Sequence, residues 1–112
     1  MPGEIINLTT RSELIEYLKI HNVVVMKFTA TWCGPCKRST PLVNKLFGQM
    51  PDNVSMVIVD IDKGRDISSS MNIKSVPTLY NFIGGQPMDC VIGSKTGDIV
   101  SFFKKTQGRA SL

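Results

Sequence analysis

The sequence predicts an α/β protein: one domain over residues 1–112, with a central mixed β-sheet of about five strands flanked by four helices. Three observations carry this. Apolar, β-branched runs alternate with amphipathic stretches over the first two thirds of the chain, the pattern of parallel strands joined by right-handed helical crossovers. Two strand-type runs then meet across Gly84-Gly85, a hairpin that adds an antiparallel portion. Finally, 112 residues, 42% hydrophobic and 20% charged, suffice for one core and leave little room for a second domain.

Each element has a local reason. Ile5 and Ile6 begin a short first strand. Thr10-Arg11-Ser12-Glu13 has the form of a capping box, in which threonine and glutamate satisfy each other's backbone amides. Leu14, Tyr17 and Leu18 follow at helical spacing, and that helix ends near His21-Asn22. Val23 to Phe28 is apolar on both faces except at Lys27, which suits a central, doubly covered strand. Leu42, Val43, Leu46, Phe47 and Met50 make a helical stripe, and Pro41 should kink that helix. Met56-Val57-Ile58-Val59 is a further buried-type strand, closed by Asp60-Ile61-Asp62. Residues 64–71 form a weak helix, since Ser68-Ser69-Ser70 has modest propensity. Thr78 to Ile83 is a strand entered through Pro77, and Met88 to Ile92 is its hairpin partner. Thr96 is expected to cap a last helix with Ile99, Val100, Phe102 and Phe103 inward; Lys104 and Lys105 suit the negative end of its dipole.

Composition narrows the function classes. Thirteen Lys+Arg stand against nine Asp+Glu, a net charge of +4, but the cations are scattered and no basic stripe carries interleaved aromatics. Specific nucleic-acid binding is therefore not expected. No apolar run approaches the roughly 20 residues that span a bilayer, so no membrane association is expected either. No signal-peptide pattern is visible near the N-terminus, which points to a reducing, cytoplasmic setting, and a monomer is expected. Three cysteines are too few, and odd in number, for a disulfide-stapled miniprotein. A four-ligand zinc site would need all three together with the single histidine, His21.

The informative segment is Trp32-Cys33-Gly34-Pro35-Cys36-Lys37, set between a buried strand and an amphipathic helix. A thiolate at Cys33 would face unpaired helix amides and the positive end of the dipole, which lowers a thiol pKa. Two intervening residues bring the Cys36 sulfur within bonding reach, and Gly34 and Pro35 keep the turn small and stiff. The residues alone leave three readings: a dithiol redox site; half of a zinc or iron–sulfur site, completed only by a dimer sharing a cluster through Cys33 because a second CxxC is absent; or a structural pair of small residues. The last is disfavoured on the expectation that a helix N-terminus leaves its residues accessible.

From about Ile5 to about Lys105 the chain resembles the thioredoxin family. Trp32 to Lys37 matches the family's active-site motif residue for residue. Val76-Pro77-Thr78 is similar to its cis-proline element, Phe82-Ile83-Gly84-Gly85 to its strand and following turn, Pro41 to its helix-kinking proline, and Gly93 to the glycine bordering its substrate groove. The resemblance implies a thioredoxin fold and a protein-disulfide reductase. In that activity Cys33 attacks a substrate disulfide, Cys36 resolves the mixed disulfide, and a thioredoxin reductase recharges the pair with electrons from NADPH. It implies no bound cofactor and no metal. It further implies a cis Pro77 against the cysteines, Val76 offering backbone to an extended substrate, Trp32 and Gly93 bordering the groove, and disulfide-containing proteins as substrates. Two rival functions follow: a disulfide oxidase or isomerase, which Gly34-Pro35 disfavours, and a binding module in which redox activity is incidental.

The chain departs from the family at Lys27. The family usually has a buried aspartate there, serving the resolving cysteine, and many relatives pair it with a lysine at the position of Ile58. An unpartnered buried ammonium is costly, so Lys27 either snorkels to solvent or supports the active site by tuning the cysteines. Thr29 replaces a frequent aromatic, which should loosen the floor of the site. Cys90, outside any motif, is expected to be a small buried hydrophobe.

Overall fold

A computed structural model describes residues 2–111. Elements run β1 (Ile5–Asn7), α1 (Arg11–Ile20), β2 (Val23–Thr29), α2 (Gly34–Gly48), β3 (Val54–Asp60), α3 (Arg65–Ser70), β4 (Thr78–Ile83), β5 (Gln86–Ile92) and α4 (Thr96–Ala110). The five strands form one sheet in the order β1-β3-β2-β4-β5. β1, β3 and β2 are parallel; β4 and β5 are antiparallel additions.

β2 is central because it has no polar face to offer water: Val23 through Phe28 are all buried. Its alternate side chains feed two cores. Val23 and Val25 pack with Val43 and Phe47 of α2 and with Ile99, Phe102 and Phe103 of α4. Val24, Met26 and Phe28 pack with Leu14 and Tyr17 of α1 and with Ile67 of α3. Burying each of these large side chains stabilises the fold by about 1.5–3 kcal/mol before chain entropy is counted.

Local chemistry sets the helix ends. The Thr10 hydroxyl accepts from the Glu13 amide while the Glu13 carboxylate accepts from the Thr10 amide, the full capping box. Those contacts hold the Glu13 carboxyl below its ordinary range, the hydrogen bond from the Thr9 backbone foremost. α2 runs through Pro41 as one helix. α4 differs from the expectation: its cap position is Lys95, with no side-chain cap bond, and Thr96 already lies in the first turn. Val100 is only half-buried, while Thr106 is fully buried.

Cys90 is also corrected. It is exposed, because β5 is an edge strand: its Asp89 and Val91 face α4, while Met88, Cys90 and Ile92 point to the opposite face. The core cluster on that face reaches Tyr80 and Phe82 of β4 and takes in no β5 residue.

Candidate active site

β2 ends where α2 begins, and the turn between them carries the two cysteines. Cys33 is the N-cap of α2, and its Sγ accepts a hydrogen bond from the Cys36 amide at 3.1 Å. Pro35 sits in the first helical turn, where its missing N–H loses nothing. Cys33 and Cys36 are joined by a disulfide with their Cα atoms 5.3 Å apart. The sulfurs thus lie where helix amides and the dipole stabilise a thiolate. Both residues are buried, 3% and 1% exposed, packed with Ala30, Ile61 and Val76. The expectation that a helix N-terminus leaves them accessible is therefore wrong. The strand ends and the loop ahead of β4 close over them.

That loop carries the second part of the site. The Val76–Pro77 peptide bond is cis, and the Val76 carbonyl oxygen lies 3.7 Å from the Cys33 sulfur. The Gly93 amide donates to the Pro77 carbonyl at 2.9 Å, which ties the end of β5 to this loop. Gly93 has φ +106°, a conformation that a side chain strains, and open space lies where its Cβ would be. Trp32 is 66% exposed, and its indole Nε1 donates to Asp62 at 2.8 Å, so the ring stands fixed beside the dithiol. The site therefore gathers Trp32, Cys33, Gly34, Pro35, Cys36, Val76, Pro77 and Gly93 from three segments distant in sequence.

Lys27 lies beneath this turn. It is 6% exposed and flanked in register by Ile58 and Leu79, both apolar. Its ammonium donates to the Thr40 hydroxyl at 3.0 Å, and that hydroxyl donates to the Cys36 carbonyl at 2.8 Å. Two hydrogen bonds thus link the cation to the residue carrying the second sulfur. Burial pushes the Lys27 pKa down. Thr29 lines an open cavity of about 420 Å³ with Asn7, Leu8, Thr9, Ile58, Asp60 and Lys63, none of which borders the dithiol.

Sequence reasoning missed Asp62, Thr40 and Arg38. The Arg38 guanidinium folds back over the motif, 3.2 Å from where a Cβ on Gly34 would stand. Only Arg38 had a sequence signal, its i, i+4 spacing from Gly34. Among the described residues no group of three or more His, Cys, Asp or Glu is arranged to hold a metal ion; His21 instead stacks on Tyr17 with ring centroids 3.8 Å apart.

A family model described as thioredoxin matches residues 5–105. The chain belongs to the thioredoxin family. It is 39% identical over 101 residues to the TPR repeat-containing thioredoxin of Arabidopsis thaliana, covering 87% of this chain and 26% of that protein. It is 35% identical over 88 residues to Thioredoxin-2 of Pyricularia oryzae, covering 79% of this chain and 51% of the relative. The chain therefore spans about a quarter and about half of these two relatives. Oxidised mitochondrial thioredoxin 3 of Saccharomyces cerevisiae superposes with a TM-score of 0.83 at 33% identity, covering 90% of this chain and 94% of the other. The five-stranded mixed sheet with four helices is the thioredoxin fold, and the disulfide occupies the family's CxxC position.

Proposed function

We propose that this chain works as a protein-disulfide reductase over its single domain, residues 1–112. The observation that carries the reading is the Cys33–Cys36 disulfide at the N-terminus of α2, with the Cys36 amide donating to the Cys33 sulfur. In the reduced protein the same amide and the helix dipole favour a thiolate at Cys33. That thiolate attacks one sulfur of a substrate disulfide, forming a mixed disulfide and expelling the other substrate sulfur as a thiolate that takes up a proton. Cys36, as thiolate, then attacks the Cys33 sulfur and expels the second substrate thiolate. Two electrons have passed to the substrate, and the Cys33–Cys36 disulfide is restored. A thioredoxin reductase drawing on NADPH returns the pair to the dithiol; a bifunctional thioredoxin reductase/thioredoxin of Mycobacterium leprae is among the relatives. The site calls for no bound cofactor and no metal.

The supporting residues have distinct parts in this reading. Trp32, Val76, Pro77 and Gly93 border the groove for an extended substrate, with the Val76 backbone available for strand-like pairing beside the Cys33 sulfur. Gly34 and Pro35 hold the turn small. Lys27 is a positioning residue: through Thr40 its ammonium is anchored under the turn that bears Cys36, and positive charge there stabilises thiolate in the dithiol. The chain is proposed to act as a monomer in the cytoplasm. Separately, no helix among the described residues is long and apolar enough to cross a membrane.

The test is insulin reduction with dithiothreitol as electron source. The chain should speed precipitation of the freed insulin chains, and Cys33→Ser should fall to the dithiothreitol background, a loss of at least about a hundredfold. Equal rates for the two proteins would contradict the reductase and favour the binding module.

A further inference from the structure

The three segments that surround the dithiol each carry cations. Lys37 and Arg38 are exposed in the first turns of α2, immediately after Cys36. Lys74 is exposed two residues before Val76, whose carbonyl lies 3.7 Å from the Cys33 sulfur. Lys95 is exposed two residues after Gly93, whose amide is bonded to Pro77. Two residues of chain reach at most about 7 Å, so both lysine backbones lie within about a Debye length of the groove at physiological salt. Arg38 comes nearer still, with its guanidinium laid over Gly34. Lys63, also exposed, follows Asp62 at the same end of the sheet.

Two acidic groups near this rim, Asp60 and Asp62, are engaged in holding it together. Asp62 accepts from the Trp32 indole, and Asp60 accepts from the Asp62 and Lys63 amides. Asp98 lies in the first turn of α4, three residues after Lys95, in the groove it lines with Lys105 and β5. Among the described residues none of Lys37, Arg38, Lys63, Lys74 and Lys95 enters an ion pair, whereas Arg11, Lys19 and Arg109 all do. Within the rim, Trp32 and Ile92 expose apolar surface, 66% and 70%. An apolar centre, a polar rim and an excess of one charge describe a protein-docking surface that selects by complementarity.

We infer that the groove prefers disulfides set in acidic polypeptide, with the rim of Arg38, Lys74 and Lys95 engaging Asp or Glu side chains that flank the substrate cysteines. This names the substrate class of the reductase proposed above and rests on that reading. The preference acts on encounter, because the rim charges are solvent-exposed, and it is therefore sensitive to salt. The overall charge of +4 adds to it in the same sense.

The experiment uses three fluorogenic peptides with one identical disulfide, flanked by glutamates, glutamines or lysines. Each rate by the reduced protein is divided by the rate of the same peptide with dithiothreitol, which removes intrinsic differences between the disulfides. At low salt the acidic peptide should be reduced about tenfold faster than the neutral one, and the lysine peptide should be slowest. At 0.5 M salt the three should converge. The triple charge reversal Arg38→Glu, Lys74→Glu, Lys95→Glu should invert the order of the acidic and basic peptides. Equal normalised rates at low salt, or an acidic preference that survives the triple reversal, would overturn the inference while leaving the reductase intact. Failure to reduce any of the three above the Cys33→Ser background would overturn the reductase, and the inference with it.

Discussion

Two polar sites lie on the same face of the sheet, and the protein treats them differently. Near the hairpin, Asn81 is fully buried; its amide donates to Asp89 and Thr106, and its carbonyl oxygen accepts from the Asp89 amide. Arg109 donates to both oxygens of Asp89, at 2.6 and 3.1 Å, and Thr106 donates to the Phe102 carbonyl. The Arg109 hydrogen bond, with Asn81 assisting, holds the Asp89 carboxyl below its ordinary range. Beneath the dithiol, Lys27 has one hydrogen-bond partner among the described residues, Thr40, and apolar cross-strand neighbours. Away from the chemistry, buried polarity is paired and ties α4 to the hairpin. Next to it, a buried lysine is kept with no counter-ion among the described residues. An apolar residue would be the more stable choice at Lys27, which is why the proposed function gives the lysine a part at Cys36, to which Thr40 links it.

The largest break in this comparison comes from Asn81→Leu. It removes three hydrogen bonds at once, strands the Asp89 amide and takes a donor from both the Asp89 carboxylate and the Thr106 hydroxyl, which should cost about 3 kcal/mol in urea unfolding. A loss under 1 kcal/mol would mean that the network contributes little to holding the hairpin. Because the Asp89 pKa is depressed in the folded state, the stability it lends is present above the unfolded carboxylate value near ~3.9 and is lost as pH falls through the lower folded value.

Lys27→Met should move the other way, stabilising the oxidised protein by about 1 kcal/mol at pH 7. Here the folded pKa is lowered below the unfolded value of 10.5, so between the two the unfolded chain holds more protons. The penalty of the buried ammonium is thus present at neutral pH and fades as pH rises from the lowered pKa towards 10.5, and the gap between variant and wild type should narrow over that window. A variant less stable than wild type at pH 7 would show that Lys27 is structurally useful where it lies.

The smallest effect belongs to Thr40→Val, which unhooks Lys27 from the Cys36 turn and leaves the charge in place. The pH profile of disulfide reduction should shift upward by a few tenths of a unit, less than in Lys27→Met, where the cation itself is gone. Coincident profiles for wild type and both variants would remove Lys27 and Thr40 from the active-site account.

Much of the fold was legible in sequence because periodicity and burial agree: Val23 to Phe28 had to be central, and the Lys27–Ile58 register follows once β2 and β3 pair. Cys90 was misread because its run looks apolar, and strand order, which places β5 at an edge, is not written in local pattern. Thr96 was misread because a good capping residue can fall one position inside a helix. At the site, the CxxC motif and Pro77 announce themselves through unusual chemistry. Thr40, Asp62 and the Arg38 guanidinium matter through where folding brings ordinary residues, and a single sequence carries little trace of that.

In the proposed function the Cys33–Cys36 pair gives electrons to substrates rather than taking them. The most direct test is the reduction potential of that pair, measured by equilibration with glutathione or dithiothreitol and alkylation of the thiols. A reductase should lie near the thioredoxin range, about −270 mV, and a value near that of strong oxidants such as DsbA, about −120 mV, would contradict the account.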